Sequence, residues 1–213
     1  MKKIMEISKL NEYGFNDFNL NIESNKHVSI IGPNMCGKTT LFRIMTGIMP
    51  TDNCVKCNNV YLNRQNVNKY IQQIGIVFPC NDGSFLHDNV LDELRHPLLN
   101  LGYNSFYIDK AINHVLSIFN LDIKDKMIKD LTNLEKQELL FCLALVHEPK
   151  VLLINEVFDY INKDDSLKIL DILKKLNITI INFSVNLDFA NNFDYLYIMN
   201  KREILYSDTP KKY

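Results

Sequence analysis

The chain has 213 residues, of which 46% are hydrophobic and 23% charged, and its formal net charge is -1. This length supplies one compact domain, or one core that carries a subdomain. Because the charge is near zero and Lys and Arg are scattered, nucleic acid is not expected as a partner. No apolar run approaches the roughly 20 residues of a spanning helix, and the start lacks a signal-peptide apolar stretch.

Five cysteines, an odd number, are spread over the chain. Cys54-x-x-Cys57 could suggest zinc or redox chemistry, but no second pair stands at metal-site spacing. The pair also does not open a helix after a strand, as a thioredoxin-like site requires. Reduced thiols without a special role are the favoured interpretation.

Short apolar segments predict the strands of the N-terminal third. Met1–Glu6 and Phe18–Ile22 are predicted as strands joined by a turn that contains Gly and Asn. The run His27–Ile31 is rich in β-branched residues and stops at a glycine, as a buried strand would. An amphipathic helix is predicted over Thr39–Met49, and a hairpin segment over Val55–Leu62.

The rest of the chain alternates apolar strands with helices. From Leu86 to about Leu145 the pattern is helical, with breaks near Pro97, near Gly102 and at 130–133, and a further helix is predicted over Ser166–Leu176. Further strands are predicted at Ile74–Phe78, Val151–Ile154, Thr179–Phe183, Tyr195–Met199 and Glu203–Tyr206. This order indicates an α/β fold with a mostly parallel sheet covered on both faces, and the long helical insert predicts a subdomain.

A phosphate-binding loop lies between the third predicted strand and the first predicted helix. Its residues match G-x-x-x-x-G-K-[ST] at every fixed position: Gly32, Pro33, Asn34, Met35, Cys36, Gly37, Lys38 and Thr39. Backbone N–H groups of such a loop form an anion-binding concavity, at which the following helix points its positive end. Lys38 can reach the β- and γ-phosphates, and the Thr39 hydroxyl can ligate Mg²⁺. A nucleotide with Mg²⁺ is therefore the expected ligand, and a glycine turn with a chance lysine is the structural alternative.

The stretch Gly32–Thr40 resembles the Walker A motif of ABC transporter ATPases, through its Gly-Pro-Asn opening and its paired threonines Thr39 and Thr40. The strand Ile74–Phe78 is similar to the one leading into that family's Q-loop. Residues 131–156 align without a gap to its signature segment, helix and Walker B motif. The overall pattern is similar to ATPases of energy-coupling-factor importers for vitamins and cobalt.

The resemblance implies a P-loop NTPase (RecA-like) core with a small antiparallel β-subdomain and a helical subdomain. The whole chain, 1–213, is then a single ABC-type ATP-binding domain. Within it, 1–80 and 146–213 are expected to form the core and β-subdomain, and 81–145 the helical subdomain.

Several family motifs are altered in this chain. The family's Leu-Ser-Gly-Gly-Gln signature, which closes over nucleotide bound to the partner subunit, reads Leu131-Thr132-Asn133-Leu134-Glu135. Leu134 replaces a glycine, and Glu135 brings a carboxylate near the phosphate. Met35 also stands where the family usually has a glycine, which predicts some strain in the loop.

The residues that the family uses for hydrolysis are altered as well. Its Q-loop glutamine corresponds to Pro79, which has no polar side-chain group, and its switch histidine to Val185. Its Walker B aspartate corresponds to Asn155, which keeps an oxygen but loses the charge that holds Mg²⁺, so Asn155 and Thr39 are weak metal candidates. Glu156 stands where the family has its general base, and with Lys38 it is a catalytic candidate. Because phosphoryl transfer depends on positioning and charge, slow or absent hydrolysis is expected.

Tyr13 precedes the second predicted strand, near where the family stacks an aromatic ring on adenine. A π-face there is physically sensible, and packing in the β-subdomain core is an equal alternative. Phe85, Leu86 and the helix near 90–101 follow the Q-loop, where the family receives a helix of its membrane subunit. Docking and ordinary helix packing remain open for this segment.

The resemblance thus implies an ATP-binding subunit that pairs with a second ATP-binding subunit, identical or different. A polytopic membrane transporter subunit would hold it at the cytoplasmic face of the cell membrane. A non-catalytic nucleotide sensor or assembly subunit is the main alternative. A small P-loop kinase would leave the match over 131–156 unexplained.

Overall fold

A computed structural model describes residues 2–81 and 83–210 of the chain. Met1, with which the first predicted strand begins, lies outside these ranges. The strands are β1 (Lys3–Leu10), β2 (Phe18–Glu23), β3 (His27–Ile31), β4 (Val55–Cys57), β5 (Val60–Tyr61), β6 (Ile74–Val77), β7 (Val151–Asn155), β8 (Thr179–Ser184), β9 (Tyr195–Asn200) and β10 (Glu203–Asp208). The helices are α1 (Lys38–Met45), α2 (Val67–Ile71), α3 (Val90–Asn100), α4 (Ser105–Ile118), α5 (Asn133–Leu145), α6 (Lys163–Lys174) and α7 (Leu187–Ala190).

The strands form two separate sheets. A six-stranded sheet has the order β10-β9-β3-β8-β7-β6, and its strands are parallel except for β10, which runs antiparallel to β9. A four-stranded antiparallel sheet has the order β2-β1-β4-β5. All residues of β7 and β8 are buried, as their continuous apolar sequences predict for strands covered on both faces. The predicted α/β class is therefore confirmed.

Two extended apolar cores hold these layers together. One joins α3, α4, α5 and α6 to one face of the six-stranded sheet, and the other joins α1 to the opposite face and to the small sheet. The apolar side chains Val90, Leu94 and Leu98 of α3 are fully buried in the first core. The apolar face of α3 therefore packs inside the protein, which was one of the two interpretations of this segment.

Helix boundaries differ from prediction where local backbone geometry decides them. Helix α3 continues through Pro97, where a break was predicted, although the proline lacks the N–H group of a helical hydrogen bond. Helix α1 ends at Met45, four residues early, because Gly47 takes a left-handed φ of 79° and ends the helix. The short helices α2 and α7 were not predicted, since four or five residues carry too little periodicity.

The longest of the described helices, α4, has 14 residues. None of the described helices combines the length and the hydrophobicity that a membrane span requires.

Candidate functional site

The phosphate-binding loop leaves the carboxyl end of β3, which lies between β8 and β9 inside the six-stranded sheet. Ligands of open α/β sheets bind at this edge. Two positions of the loop require glycine. Gly32 has no space for a side chain, because a Cβ there would lie 2.1 Å from the Met199 carbonyl oxygen. Gly37 has φ 111°, which a residue with a side chain rarely adopts, and it precedes the first turn of α1.

The Lys38 side chain is buried within its own loop. Its Nζ donates to the carbonyl oxygens of Gly32 at 2.8 Å and Pro33 at 3.1 Å, and lies 3.9 Å from Cys36 Sγ. The ammonium group is thus held beneath the loop amides with hydrogen-bond acceptors that an anion can replace. A cation at this position balances the charge of a phosphate bound to those amides.

A cavity of about 240 Å³ opens above this loop. It brings together most of the predicted nucleotide-binding residues with both predicted catalytic residues, Lys38 and Glu156, and its lining consists of Asn34, Met35, Gly37, Lys38, Thr39, Thr40, Glu156 and Arg202. Gly32, Pro33 and Cys36 belong to the loop but do not line the cavity. Met35 is 99% exposed and has φ 65°, which fits the strain predicted for a side chain at this position.

The residues at the end of β7 reach the same edge of the sheet. The Glu156 backbone has φ 57° and its N–H donates to the Phe183 carbonyl oxygen of β8 at 2.8 Å, and the residue lines the cavity. Asn155 is buried, and its Oδ1 has no hydrogen-bond partner among the described residues. Such an oxygen can accept a hydrogen bond from a water bound to Mg²⁺, and Thr39, which lines the cavity, can supply the hydroxyl ligand. Of the two predicted metal candidates, Thr39 lines the cavity and Asn155 does not, so the residues fit a weakly held metal ion at most.

The segment that carries Val185 is fixed by a carboxylate after β7. Asp159 accepts hydrogen bonds from Ser184 Oγ at 2.6 Å and from the Val185 backbone N–H at 3.2 Å. The Val185 side chain is about half exposed and does not line the cavity. The backbone of this switch-like segment is therefore ordered, while its side chain offers no hydrogen bond to a phosphate.

Tyr13 does not line the cavity. Its hydroxyl donates to the Pro50 carbonyl at 2.6 Å, and its ring packs against the core of the small sheet. Phe15 is buried in the same core. This arrangement matches the core-packing interpretation, and adenine stacking by Tyr13 stays a prediction.

The altered signature segment forms the start of α5. Thr132 Oγ1 accepts from the Glu135 N–H at 3.2 Å, and Glu135 Oε2 accepts from the Thr132 N–H at 2.8 Å, so the pair forms a capping box. Glu135 also pairs with Lys126 at 3.0 Å. The hydrogen bond from the Thr132 N–H, followed by Lys126, lowers the pKa of the Glu135 carboxyl, which favours its charged form.

A second, larger concavity of about 830 Å³ lies between the Q-loop segment and α5. We call it the lateral groove, and its apolar lining includes Phe85, Met127, Leu134 and Tyr160. Tyr160 is 73% exposed, and the neighbouring Leu86 is 75% exposed. The Cys80 N–H donates to Gln137 Oε1 at 3.1 Å, which ties the segment after Pro79 to α5.

The cysteines form no site of their own. Cys54 and Cys57 are free thiols, and burial raises the pKa of Cys57 to about 12. Within 2–81 and 83–210, no group of three or more metal-ligating side chains comes together.

Two residues of the site were not predicted from the sequence. Arg202, in the turn between β9 and β10, lines the cavity, and Asp159 orders the Val185 segment. Arg202 is 164 residues from Lys38 in the chain, and no local pattern indicates that the two side chains share a cavity. The capping box of α5 can be predicted from its sequence pattern, Thr132-x-x-Glu135, although the same residues also align with the ABC signature.

Comparison with known proteins agrees with this geometry. The family model described as "ABC transporter" matches residues 15–159, about two thirds of the chain. A putative ABC transporter ATP-binding protein of Clostridium acetobutylicum is 27% identical over 89% of this chain and 71% of its own length. The energy-coupling factor transporter ATP-binding protein EcfA of Aster yellows witches'-broom phytoplasma is 28% identical over 93% of this chain and 76% of its own length.

Solved structures show the same fold. The structure of cbiO1 from Clostridium perfringens, described as part of the ABC transporter complex cbiONQ, superposes with a TM-score of 0.88. It is 25% identical, over 99% of this chain and 90% of its own. A dimeric ATP-binding cassette bound to ADP and Pi, at 21% identity and a TM-score of 0.78, matches 100% of this chain and 98% of its own. The P-loop NTPase fold is thus confirmed, and the chain belongs to the ABC transporter family as one of its ATP-binding domains.

Proposed function

We propose that this chain is a nucleotide-binding subunit of an energy-coupling-factor type importer, which binds Mg-ATP and hydrolyses it slowly or not at all. The observation that carries the proposal is the cavity in which the loop, Lys38, Thr39 and Glu156 meet. Its residues provide amides and a cation for the phosphate tail, together with a carboxylate placed as a candidate general base. Two relatives, named as ATP-binding proteins of energy-coupling factor transporters, support the type of transporter.

Slow hydrolysis follows from groups that the site lacks. Asn155 replaces a negative metal ligand with a neutral oxygen, Pro79 has no polar side chain, and Val185 directs no hydrogen-bond donor into the cavity. Losing a single stabiliser of transition-state charge commonly costs about 10²–10³ in rate. Binding of Mg-ATP with slow or absent turnover is therefore the expected behaviour.

The α5 capping box supports weak closure of a homodimer. In the family this segment covers nucleotide held by the partner subunit, and here it presents Leu134 and the charged carboxylate of Glu135. We infer that the chain pairs best with a second ATP-binding subunit that has intact motifs. The dimeric assembly of the cassette bound to ADP and Pi supports pairing as the mode of assembly.

The lateral groove is the proposed contact with a polytopic membrane subunit. It lies between the helical part of the chain and the Q-loop segment. Its lining includes the exposed Tyr160, and the exposed Leu86 stands in the chain between the lining residues Phe85 and His87. We propose that the chain functions on the cytoplasmic face of the membrane through this contact. The division into a core with β-subdomain, at 1–80 and 146–213, and a helical subdomain, at 81–145, belongs to the same proposal.

Calorimetric titration of the purified chain with ATP and MgCl₂ tests the proposal. Wild type is expected to bind, and Lys38→Met is expected to lose most of the affinity because the phosphate tail loses its counter-charge. Lys69→Met, on the exposed side of α2, is the matched control and should bind like wild type. A flat titration of folded wild type at millimolar ATP would contradict nucleotide binding.

Turnover is measured on the same preparations with radiolabelled ATP. Phosphate release near the background rate is expected from protein that binds ATP in the calorimeter. Release at the rate of ordinary transporter ATPases, about 1 s⁻¹ or faster, would show that the altered motifs do not limit hydrolysis.

A further inference from the structure

We propose that Arg202 is a ligand of the nucleotide's phosphate chain, and that it acts there together with Lys38, which lines the same cavity. This inference rests on the proposed function, since it assigns a further residue to the same nucleotide site. Arg202 lies in the turn between β9 and β10, and this turn contributes no residue to the phosphate-binding loop.

The turn is held directly against the phosphate-binding loop. The Arg202 backbone N–H donates to the Cys36 carbonyl oxygen at 2.8 Å. Lys201 and Arg202 have φ values of 45° and 65°, a left-handed conformation that is unfavourable for residues with a Cβ. The tertiary structure thus fixes the turn at a conformational cost, and this places the arginine at the cavity.

The Arg202 side chain runs across the loop towards the segment before β2. Its Cγ would lie 2.8 Å from a Cβ built on Gly37, and its Cζ and Nε would lie 3.0 Å from a Cβ built on Gly14. Because both positions are glycines, the guanidinium group and the aliphatic part of the Arg202 side chain occupy space that a larger residue at either position would fill with its own side chain. The side chain therefore passes close to Gly37 of the loop and to Gly14.

The guanidinium group has an unsatisfied donor. Arg202 Nε is buried and has no hydrogen-bond acceptor, and no carboxylate in the described ranges forms an ion pair with this side chain. A buried donor without an acceptor is costly, more so when the group is charged. Lys38 differs in this respect, because its Nζ already has the carbonyl oxygens of Gly32 and Pro33 as acceptors.

An anion that enters the cavity would pair with the guanidinium group, because Arg202 lines the cavity. The planar guanidinium presents several N–H groups in a fixed fork, which matches the oxygens of a phosphate better than a lysine does. Glu156 also lines the cavity, but it forms no ion pair with Arg202 within the described chain. The phosphate chain is the ligand to which the loop itself is suited, and it brings the acceptors that Arg202 lacks.

The left-handed turn allows a substitution that removes the side chain and keeps the backbone. Glycine adopts φ 65° without strain, so Arg202→Gly should leave the turn and its hydrogen bond to Cys36 in place. Lys201→Gly is the matched control, because it removes one positive charge from an exposed position in the same turn. Arg202→Gln, which keeps most of the length without the charge, is the second variant if the glycine variant does not fold.

Calorimetry with Mg-ATP and with magnesium tripolyphosphate tests the assignment. Arg202→Gly is expected to weaken the binding of both ligands by about tenfold or more, as for loss of a charge-assisted hydrogen bond. Lys201→Gly should change either affinity by less than about twofold, since exposed charges contribute little. Circular dichroism and urea unfolding establish that each variant is folded.

The outcomes separate this inference from the proposed function. If wild type binds Mg-ATP and Arg202→Gly binds it equally well, the inference is overturned and the proposed function stands. If the variant loses affinity for ATP but not for tripolyphosphate, Arg202 contacts the nucleoside and the phosphate assignment is wrong. If folded wild type binds neither ligand, the proposed function fails and the inference fails with it.

Discussion

At the scale of single residues, this site is built from unusual backbone conformations. Met35, Glu156 and Arg202 all have positive φ values, and all three line the cavity of the phosphate-binding loop. Left-handed conformations of residues with side chains are uncommon and cluster at functional sites, where the surrounding structure maintains them. Hydrogen bonds from Glu156 to Phe183 and from Arg202 to Cys36 are the contacts that do so here.

His147 predicts a pH dependence of stability. Burial lowers the pKa of its ring from the ordinary value of 6.5, and the carbonyl oxygen of Ile74 is its hydrogen-bond partner at 3.0 Å. Below pH 6.5 the unfolded chain therefore binds a proton that the folded chain does not, so the free energy of unfolding should fall as the pH falls. Urea unfolding at pH 7.5 and at pH 5.5 measures this change.

A glutamine at the same position isolates the contribution of His147. His147→Gln keeps an N–H donor for Ile74 but does not titrate, so its loss of stability between pH 7.5 and pH 5.5 should be smaller than that of wild type. Equal losses in the two proteins would show that His147 does not cause the pH dependence.

At the scale of elements, the start of α5 combines a structural function with an altered functional motif. The capping box satisfies N–H groups at the helix terminus, and Thr132 is its N-cap residue.

Thr132→Ala should lower the free energy of unfolding by about 1 kcal/mol, because one N–H of the first turn loses its acceptor. Thr132→Ser keeps the hydroxyl and should remain within about 0.5 kcal/mol of wild type. Urea unfolding at pH 7.5 tests the pair, and an equal loss in both variants would contradict the capping explanation.

The same helix start predicts how a homodimer responds to nucleotide. Glu135→Gln removes the charge and keeps an oxygen that can accept from the Thr132 N–H, so the cap is preserved. Combined with Leu134→Gly, it should increase dimer formation in the presence of millimolar Mg-ATP, because the segment then brings neither a bulky side chain nor a carboxylate to the partner's phosphate. Sedimentation velocity with and without nucleotide measures the change. Complete dimerisation of wild type with Mg-ATP would show that the altered signature does not weaken closure.

At the scale of the whole molecule, the parallel sheet brings the site together. β3, β7 and β8 end at one edge. Asn155 is the last residue of β7, and the phosphate-binding loop, Glu156 and the Val185 segment follow the ends of these strands. Because parallel strands point the same way, segments more than 100 residues apart in the chain meet at this edge. The lateral groove opens between the helical part and the Q-loop segment, which the hydrogen bond from the Cys80 N–H to Gln137 Oε1 joins.

Whole-molecule activity should respond to restoring the lost hydrolytic groups together. The triple variant Pro79→Gln, Asn155→Asp and Val185→His returns a polar ligand, a negative charge and a hydrogen-bond donor to the edge that holds the loop. Phosphate release is expected to rise by about 10² or more over wild type, the amount commonly associated with a single stabilising group. If a folded variant that binds Mg-ATP shows no increase in phosphate release, the three altered residues do not limit hydrolysis. Incomplete closure of the dimer is then the remaining explanation.

The sequence by itself determined the fold class, the order of the strands along the chain and the phosphate-binding loop. These features depend on local information: apolar periodicity for β7 and β8, and fixed spacing for Gly32, Gly37 and Lys38. It also determined which family positions are altered, since Pro79, Asn155 and Val185 can be compared one residue at a time.

Only the tertiary structure decided which distant side chains join the loop. It placed Arg202 in the cavity and Tyr13 against the core of the small sheet, and it fixed the Val185 segment through Asp159. These contacts join residues that are far apart in the chain, and they depend on strand order, on the twist of the sheet and on turns with left-handed backbone. A residue's neighbours along the chain carry no information on those quantities, because contacts between distant segments form only when the whole core is packed.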